Sequence, residues 1–154
     1  MSVALKLREY LDSNHVSYEV VGHPHAYTAQ EVAAVTHVRG KELAKSVVLK
    51  ADDRFVLAVL PAPRKLDMKR LKETLGAKEV RLAQETEFES LFPGCEVGAM
   101  PPFGNLYGLA VYVDQSLTAD EEIVFNAGSH VDAIRMKYGD FERLALPTIA
   151  QLTM

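Results

Sequence analysis

With 154 residues, 48% of them hydrophobic and 25% charged, the chain is long enough for one domain with a sizeable core. Its 17 basic and 21 acidic side chains leave a net charge of −4. That argues against a general nucleic-acid coat or a membrane-surface binder, both of which draw affinity from a basic excess. The lone Cys95 excludes an internal disulfide and every zinc site built on paired cysteines, and it fits a reducing compartment. No apolar stretch approaches the ~18–20 residues that span a bilayer. The amphipathic first segment also lacks the apolar core of a signal peptide, so a cytoplasmic protein is expected.

Val3, Leu7, Tyr10 and Leu11 fall on one helical face, closed by the polar Asp12-Ser13-Asn14. Ser17 to Val21 reads as a short strand. Thr28 followed by Glu31 is a capping box that opens a helix running to Gly40. Ser46 to Leu49 and Phe55 to Leu60 read as buried strands joined at Asp52-Asp53, an antiparallel hairpin. Asp67 caps a helix with Met68, Leu71 and Leu75 on one face and Gly76 as its stop. A short helix follows over Thr86 to Phe92. The segment GCEVGAMPPFGN is too rich in Gly and Pro for regular structure throughout. Leu109 to Val113 and Glu122 to Asn126 are strands, and weak helical periodicity resumes near Asp140, Phe141 and Leu144. Hairpin-linked strands with interposed helices indicate a single α+β domain with a mixed or antiparallel sheet.

Few side chains carry an obvious chemistry. His23 and His25 form an H-x-H pair, but His15, His37 and His130 supply no third ligand at a zinc-like spacing. Cys95 has only Glu96 beside it as a base and reads as a structural thiol. There is no nucleophile–base signature. What stands out is backbone. Gly98, Ala99, Met100, Pro101, Pro102, Phe103 and Gly104 alternate residues that permit unusual dihedrals with residues that fix them. Such a loop either orients N–H and C=O groups toward a ligand or makes a tight connection. The segment from Asn126 through Gly128, Ser129 and His130 is a second loop of this kind. Lys45 precedes the apolar run Val47-Val48-Leu49, so its ammonium must reach a cleft, a partner or the strand edge. Between Arg64 and Arg81 lie seven basic residues against three acidic ones. That local +4 is either a solvated helix face or a place for a phosphate backbone to dock.

The segments ELAKSVVLK, FVLAVLPA, LDMKRLKETLG, GAMPPFG and VFNAGSH, in this order and spacing, resemble the YbaK/ProX family. Its members are relatives of the editing domain inserted in bacterial prolyl-tRNA synthetases. The resemblance runs from HPHAYTAQEVA to RMKYGDFERL, and it implies one editing domain over residues 1–154. It implies a highly curved, barrel-like, mainly antiparallel mixed sheet flanked by helices. It also implies a trans-editing deacylase that needs no metal or other cofactor and acts on the acceptor end of tRNA mischarged with alanine, serine, threonine or cysteine. A synthetase partner is open. Carried over by position, Lys45 and Gly98 are the catalytic candidates. Ala99 to Gly104, with Gly128, Ser129 and His130, are the substrate-binding ones. Two alternatives remain beside this: a non-enzymatic binding module using the same cleft, and a metal-dependent hydrolase using His23 and His25.

Overall fold

Helix α1 (Leu5–Ser13) turns Leu7 and Leu11 fully inward, and the Tyr10 hydroxyl donates to the Leu144 carbonyl at 2.7 Å. The computed structural model describes residues 4–22 and 42–154. The Thr28–Gly40 helix expected from the capping box, and His23, His25 and His37, lie outside the described residues. After β1 (Tyr18–Gly22), the hairpin β2 (Ala44–Ala51) and β3 (Arg54–Pro61) pairs antiparallel in register from Ala44↔Pro61 to Ala51↔Arg54. Helix α2 (Met68–Leu75) starts where Asp67 accepts hydrogen bonds from the Lys69 and Arg70 amides at 3.1 and 3.3 Å, and it stops at Gly76.

Next come β4 (Val80–Leu82), α3 (Glu85–Phe88), β5 (Ala110–Asp114), β6 (Glu122–Asn126), β7 (Asp132–Lys137), α4 (Tyr138–Ala145) and β8 (Thr148–Ala150). The expected Thr86–Phe92 helix is thus one short α turn followed by a 3₁₀ turn over Glu89–Leu91. Strands β4, β7 and β8 answer to no expected element.

Among the described residues the strands form two open sheets. One has five strands in the order β4-β2-β3-β5-β8, with β3–β5 and β5–β8 parallel; the other has three in the order β1-β7-β6, all antiparallel. The highly curved, barrel-like sheet that the resemblance implied is therefore wrong for this chain. Closure requires the first and last strands of a sheet to pair, and here each sheet ends in edge strands. The architecture is α+β, a mixed sheet flanked by helices. The two sheets meet at one parallel bridge, Leu43↔Val124, which sets the start of β2 beside β6.

Alternation along β2 and β3 divides their apolar side chains between two cores. Ala44, Val48, Leu57 and Val59 join α1, β5, β6, β7 and α4 in the larger core, whereas Leu49, Val56 and Ala58 meet Leu71 and Leu75 of α2 in the smaller. Both faces of β3 are covered, which is why it reads as an unbroken apolar run.

At the end of β5, the buried Asp114 carboxylate ties down the C-terminal segment. It accepts from the Leu152 and Thr153 amides at 2.8 and 3.1 Å, from the Thr153 hydroxyl at 3.2 Å, and from the Ser116 hydroxyl and amide. Burial alone would raise the carboxyl's pKa, but these donors together hold it below the ordinary aspartate value. A depressed carboxyl stabilises the fold above its unfolded pKa of about 4, and loses that contribution as pH falls through the folded one. Asp114→Asn should therefore cost about 1–2 kcal/mol at neutral pH. Denaturant titrations should show the gap to wild type closing below about pH 4.

Candidate active site

Lys45 is the second residue of β2, opposite Leu60. Alternation gives it the face that carries Val47 and Leu49 into the smaller core, but at the strand's start that core has ended. Its amine emerges half-buried. Desolvation lowers its pKa, and no carboxylate among the described residues offsets it. The amine borders a small cleft of about 180 Å³, lined also by Leu43, Ala44, Ser46, Gly98, Met100 and Asn126. The cleft is well below the ~300–1,000 Å³ of a drug-sized ligand site. Lys45 also ends a wider, mainly apolar groove of about 550 Å³ that includes Val47, Leu66, Met68 and Leu82 and is rimmed by Lys65 and Arg81.

Gly98 reaches the cleft through a left-handed backbone, φ +86°, that few side chains tolerate. Its loop is clamped to the loop after β6 from both sides. The Glu96 amide donates to the Gly128 carbonyl at 2.8 Å, and the Gly128 amide donates to the Ala99 carbonyl at 2.9 Å. His130 Nε2 lies 2.9 Å from the Val97 carbonyl; a carbonyl only accepts, so Nε2 carries the hydrogen. The Ala99 amide closes a turn onto the Glu96 carbonyl at 3.0 Å. Among the described residues the Gly98 amide meets only the Met100 thioether, 3.2 Å away, which is a weak acceptor.

The other residues expected to bind substrate sit deeper. Ala99, Pro101, Pro102 and Gly104 are buried. Phe103 is fully enclosed by the rings of Tyr10, Phe125 and Phe141, with centroids 6.3, 5.7 and 5.3 Å away. The Ser129 hydroxyl donates to the Asp132 carboxylate at 3.0 Å and accepts from the Val131 and Asp132 amides, which shapes its own turn. Gly128 packs against Ala4, and His130 is 5% exposed beneath the Gly98 backbone.

The cleft thus brings together Lys45, Gly98 and Met100 of the expected set. The remaining residues surround and support these three without lining it. Sequence reasoning passed over Ser46 and Asn126. Ser46 follows Lys45 on the strand, so the two side chains point to opposite faces and the amine is no base for the hydroxyl. Asn126 belongs to a segment that the sequence marks as unusual, and its position at the end of a strand is the only local signal.

The comparisons agree with one another. Residues 23–144 match the family model described as an aminoacyl-tRNA editing domain. The chain is 32% identical to the multifunctional Ser/Thr-tRNA deacylase ProXp-y of Escherichia coli K12, covering 96% of this chain and 87% of that one. It is 33% identical to part of the proline–tRNA ligase of Bacillus subtilis, a match covering 77% of this chain and 21% of the ligase. Two solved structures share the fold at 22% and 20% identity. One, described as a candidate trans-editing enzyme for prolyl-tRNA synthetase, has a TM-score of 0.85 with 98% of this chain and 96% of that one covered. The other, described as a hypothetical protein, has a TM-score of 0.87 with 97% and 99% covered.

Proposed function

Because the chain belongs to the aminoacyl-tRNA editing-domain family, in its YbaK/ProX branch, we propose that it forms a single editing domain over its 154 residues and clears small amino acids from mischarged tRNA. Deacylation of mischarged tRNA is the activity of this branch, and the chain is an enzyme of that kind, a hydrolase. The amino acid and the roles of individual residues are our own reading. One observation supports it most: a desolvated amine, a glycine amide that meets a weak acceptor, and a cleft too small for a nucleotide coincide in one place.

The aminoacyl ester is already activated. Water adds to its carbonyl carbon, the bond to the ribose oxygen breaks, and the products are a free amino acid and a tRNA hydroxyl. No His, Asp, Glu or Cys lines the cleft among the described residues, and none is needed if the protein supplies position and electrostatics. Lys45 holds the terminal phosphate or ribose and offsets the negative charge that builds on the carbonyl oxygen. The Gly98 amide leaves the Met100 thioether for the substrate, a better acceptor. The Met100 side chain bounds the space for the aminoacyl group. Alanine, serine, threonine and cysteine fit such a cleft. The Ser/Thr specificity in the name of the Escherichia coli relative supports the hydroxylated pair.

The acceptor end then lies along the groove that continues from Lys45. Its rim carries Lys65 and Arg81, from the locally basic stretch; Arg81 is half-engaged by Glu87 through two bonds of 2.8 Å. A synthetase partner would deliver the charged tRNA. No described helix is long and apolar enough to cross a membrane.

The test is a deacylation panel. tRNAs charged with alanine, serine, threonine and cysteine, and with phenylalanine and leucine as large controls, are incubated with catalytic amounts of protein. Multiple-turnover release of at least one small amino acid is expected. The large controls should be slower by tenfold or more, since each added methylene discriminates by about 1–3 kcal/mol. Rates at the buffer level for the whole panel would overturn the reading.

A further inference from the structure

Asn126 ends β6, opposite Ala133 of β7, and it is a wall of the cleft that holds Lys45 and Gly98. Its neighbours Ile123, Val124, Phe125 and Ala127 are all buried and apolar, so an aliphatic side chain would be the ordinary choice here. Yet its side-chain carbonyl oxygen, Oδ1, is buried with no hydrogen-bond partner among the described residues. Well over nine in ten buried polar groups find one, and an unmet amide costs stability. A polar group kept at that cost, on the wall of a binding cleft, points to a partner that arrives with the substrate.

The chemistry of an aminoacyl ester identifies the partner. Such an ester carries negative charge on its terminal phosphate and positive charge on its α-ammonium. Lys45 attracts the first and repels the second. No carboxylate lines the cleft among the described residues, so a neutral acceptor is what remains for the ammonium. An amide suits this better than a carboxylate, which would pair with Lys45 and cancel the charge that the phosphate needs.

We infer that Asn126 is a substrate-binding residue whose amide turns into the cleft on binding, so that Oδ1 accepts a hydrogen bond from the α-ammonium of the aminoacyl group and fixes which end of the ester faces Lys45. It would make the enzyme selective for a free α-amine, whatever the amino-acid side chain. The inference rests on the deacylase reading above.

The experiment compares wild type with Asn126→Leu, and with Asn126→Ala in case the leucine does not pack. Two esters of nearly equal size are used: alanyl-tRNA and lactyl-tRNA, in which a hydroxyl replaces the ammonium. If seryl-tRNA is the better substrate, it and its α-hydroxy counterpart take their place. Hydrogen bonds to charged groups are the stronger class. kcat/KM on the aminoacyl ester should therefore fall ten- to a hundredfold in the variants, and on the hydroxyacyl ester no more than about fivefold. The melting temperature should be unchanged or higher, because an unsatisfied polar atom has been removed. Equal losses on the two esters would overturn the inference by placing the amide at the ribose or at the fold of the cleft; so would undiminished activity on the aminoacyl ester. Wild type inactive on every ester is a different result, which removes the deacylase reading itself.

Discussion

Lys45→Met should lower deacylation at least a hundredfold while leaving the melting temperature unchanged or raised. The two halves of this expectation have one cause. The Lys45 amine is partly desolvated and no carboxylate among the described residues offsets it, so its charge costs stability wherever it is charged in both the folded and the unfolded chain. Met keeps the length of the stem along the groove wall and removes that cost. For the reaction the charge is the contribution: taking away one preorganised group that stabilises developing negative charge typically costs a factor of about 10²–10³. The pH dependence follows in sign. Desolvation lowers the Lys45 pKa, so the ammonium is lost at a lower pH than that of an ordinary lysine, near 10.4. Enzymatic deacylation, corrected for alkaline hydrolysis of the ester, should fall on that earlier limb. A variant within fivefold of wild type on its preferred mischarged tRNA would show that Lys45 is not part of the chemistry.

What the sequence made legible is what local rules govern. Asp67 and Gly76 bracket α2 because capping is settled within one turn of helix. Asp52-Asp53 marks the β2–β3 turn because a tight connection leaves no other pairing. Strands β4 and β8 are only three residues long and exist through their neighbours: β4 as an edge on β2, β8 as a parallel edge on β5. No local pattern announces them. The same reasoning explains the failed barrel, since closure is decided by which distant strands pair. In the site, Lys45 and Gly98 were recognisable because a charge before an apolar strand and a glycine in a proline-rich loop are odd in themselves. The loop of Ser129 and His130 is the weaker signal, and their polar atoms turn inward, to the Asp132 carboxylate and the Val97 carbonyl. Asn126 opens the second unusual loop but is not marked as a binding residue, because asparagine is common where a strand ends. Its unmet oxygen exists only in three dimensions.

The two positive-φ glycines of the clamped loops should separate stability from activity. Gly128 has φ +100°, and a Cβ built there would sit 2.8 Å from the Ala4 Cβ and 3.3 Å from the Ala4 amide. Ala4 cannot simply yield, because its own amide donates to the Ala127 carbonyl at 2.9 Å. Gly128→Ala should therefore combine backbone strain of about 1–3 kcal/mol with overpacking of similar size. The sum is about 3 kcal/mol or more, a fall of roughly 6–12 °C in melting temperature for a chain of this size. Gly98 differs in the second term only. Its φ is +86°, but an added Cβ would rest 3.5 Å from His130 Cε1 and 3.8 Å from Nε2, ordinary contact distances. Gly98→Ala should thus cost only the strain, about 1–3 kcal/mol. The backbone relaxes to relieve it, and that relaxation turns the amide that meets Met100 away from the cleft, so deacylation should fall at least tenfold in a protein that is still folded at assay temperature. Thermal melts and single-turnover deacylation of the same two variants measure both quantities. A wild-type rate in Gly98→Ala would remove the backbone from the mechanism. An unshifted melt in Gly128→Ala would show that the second loop is not held against Ala4 as described.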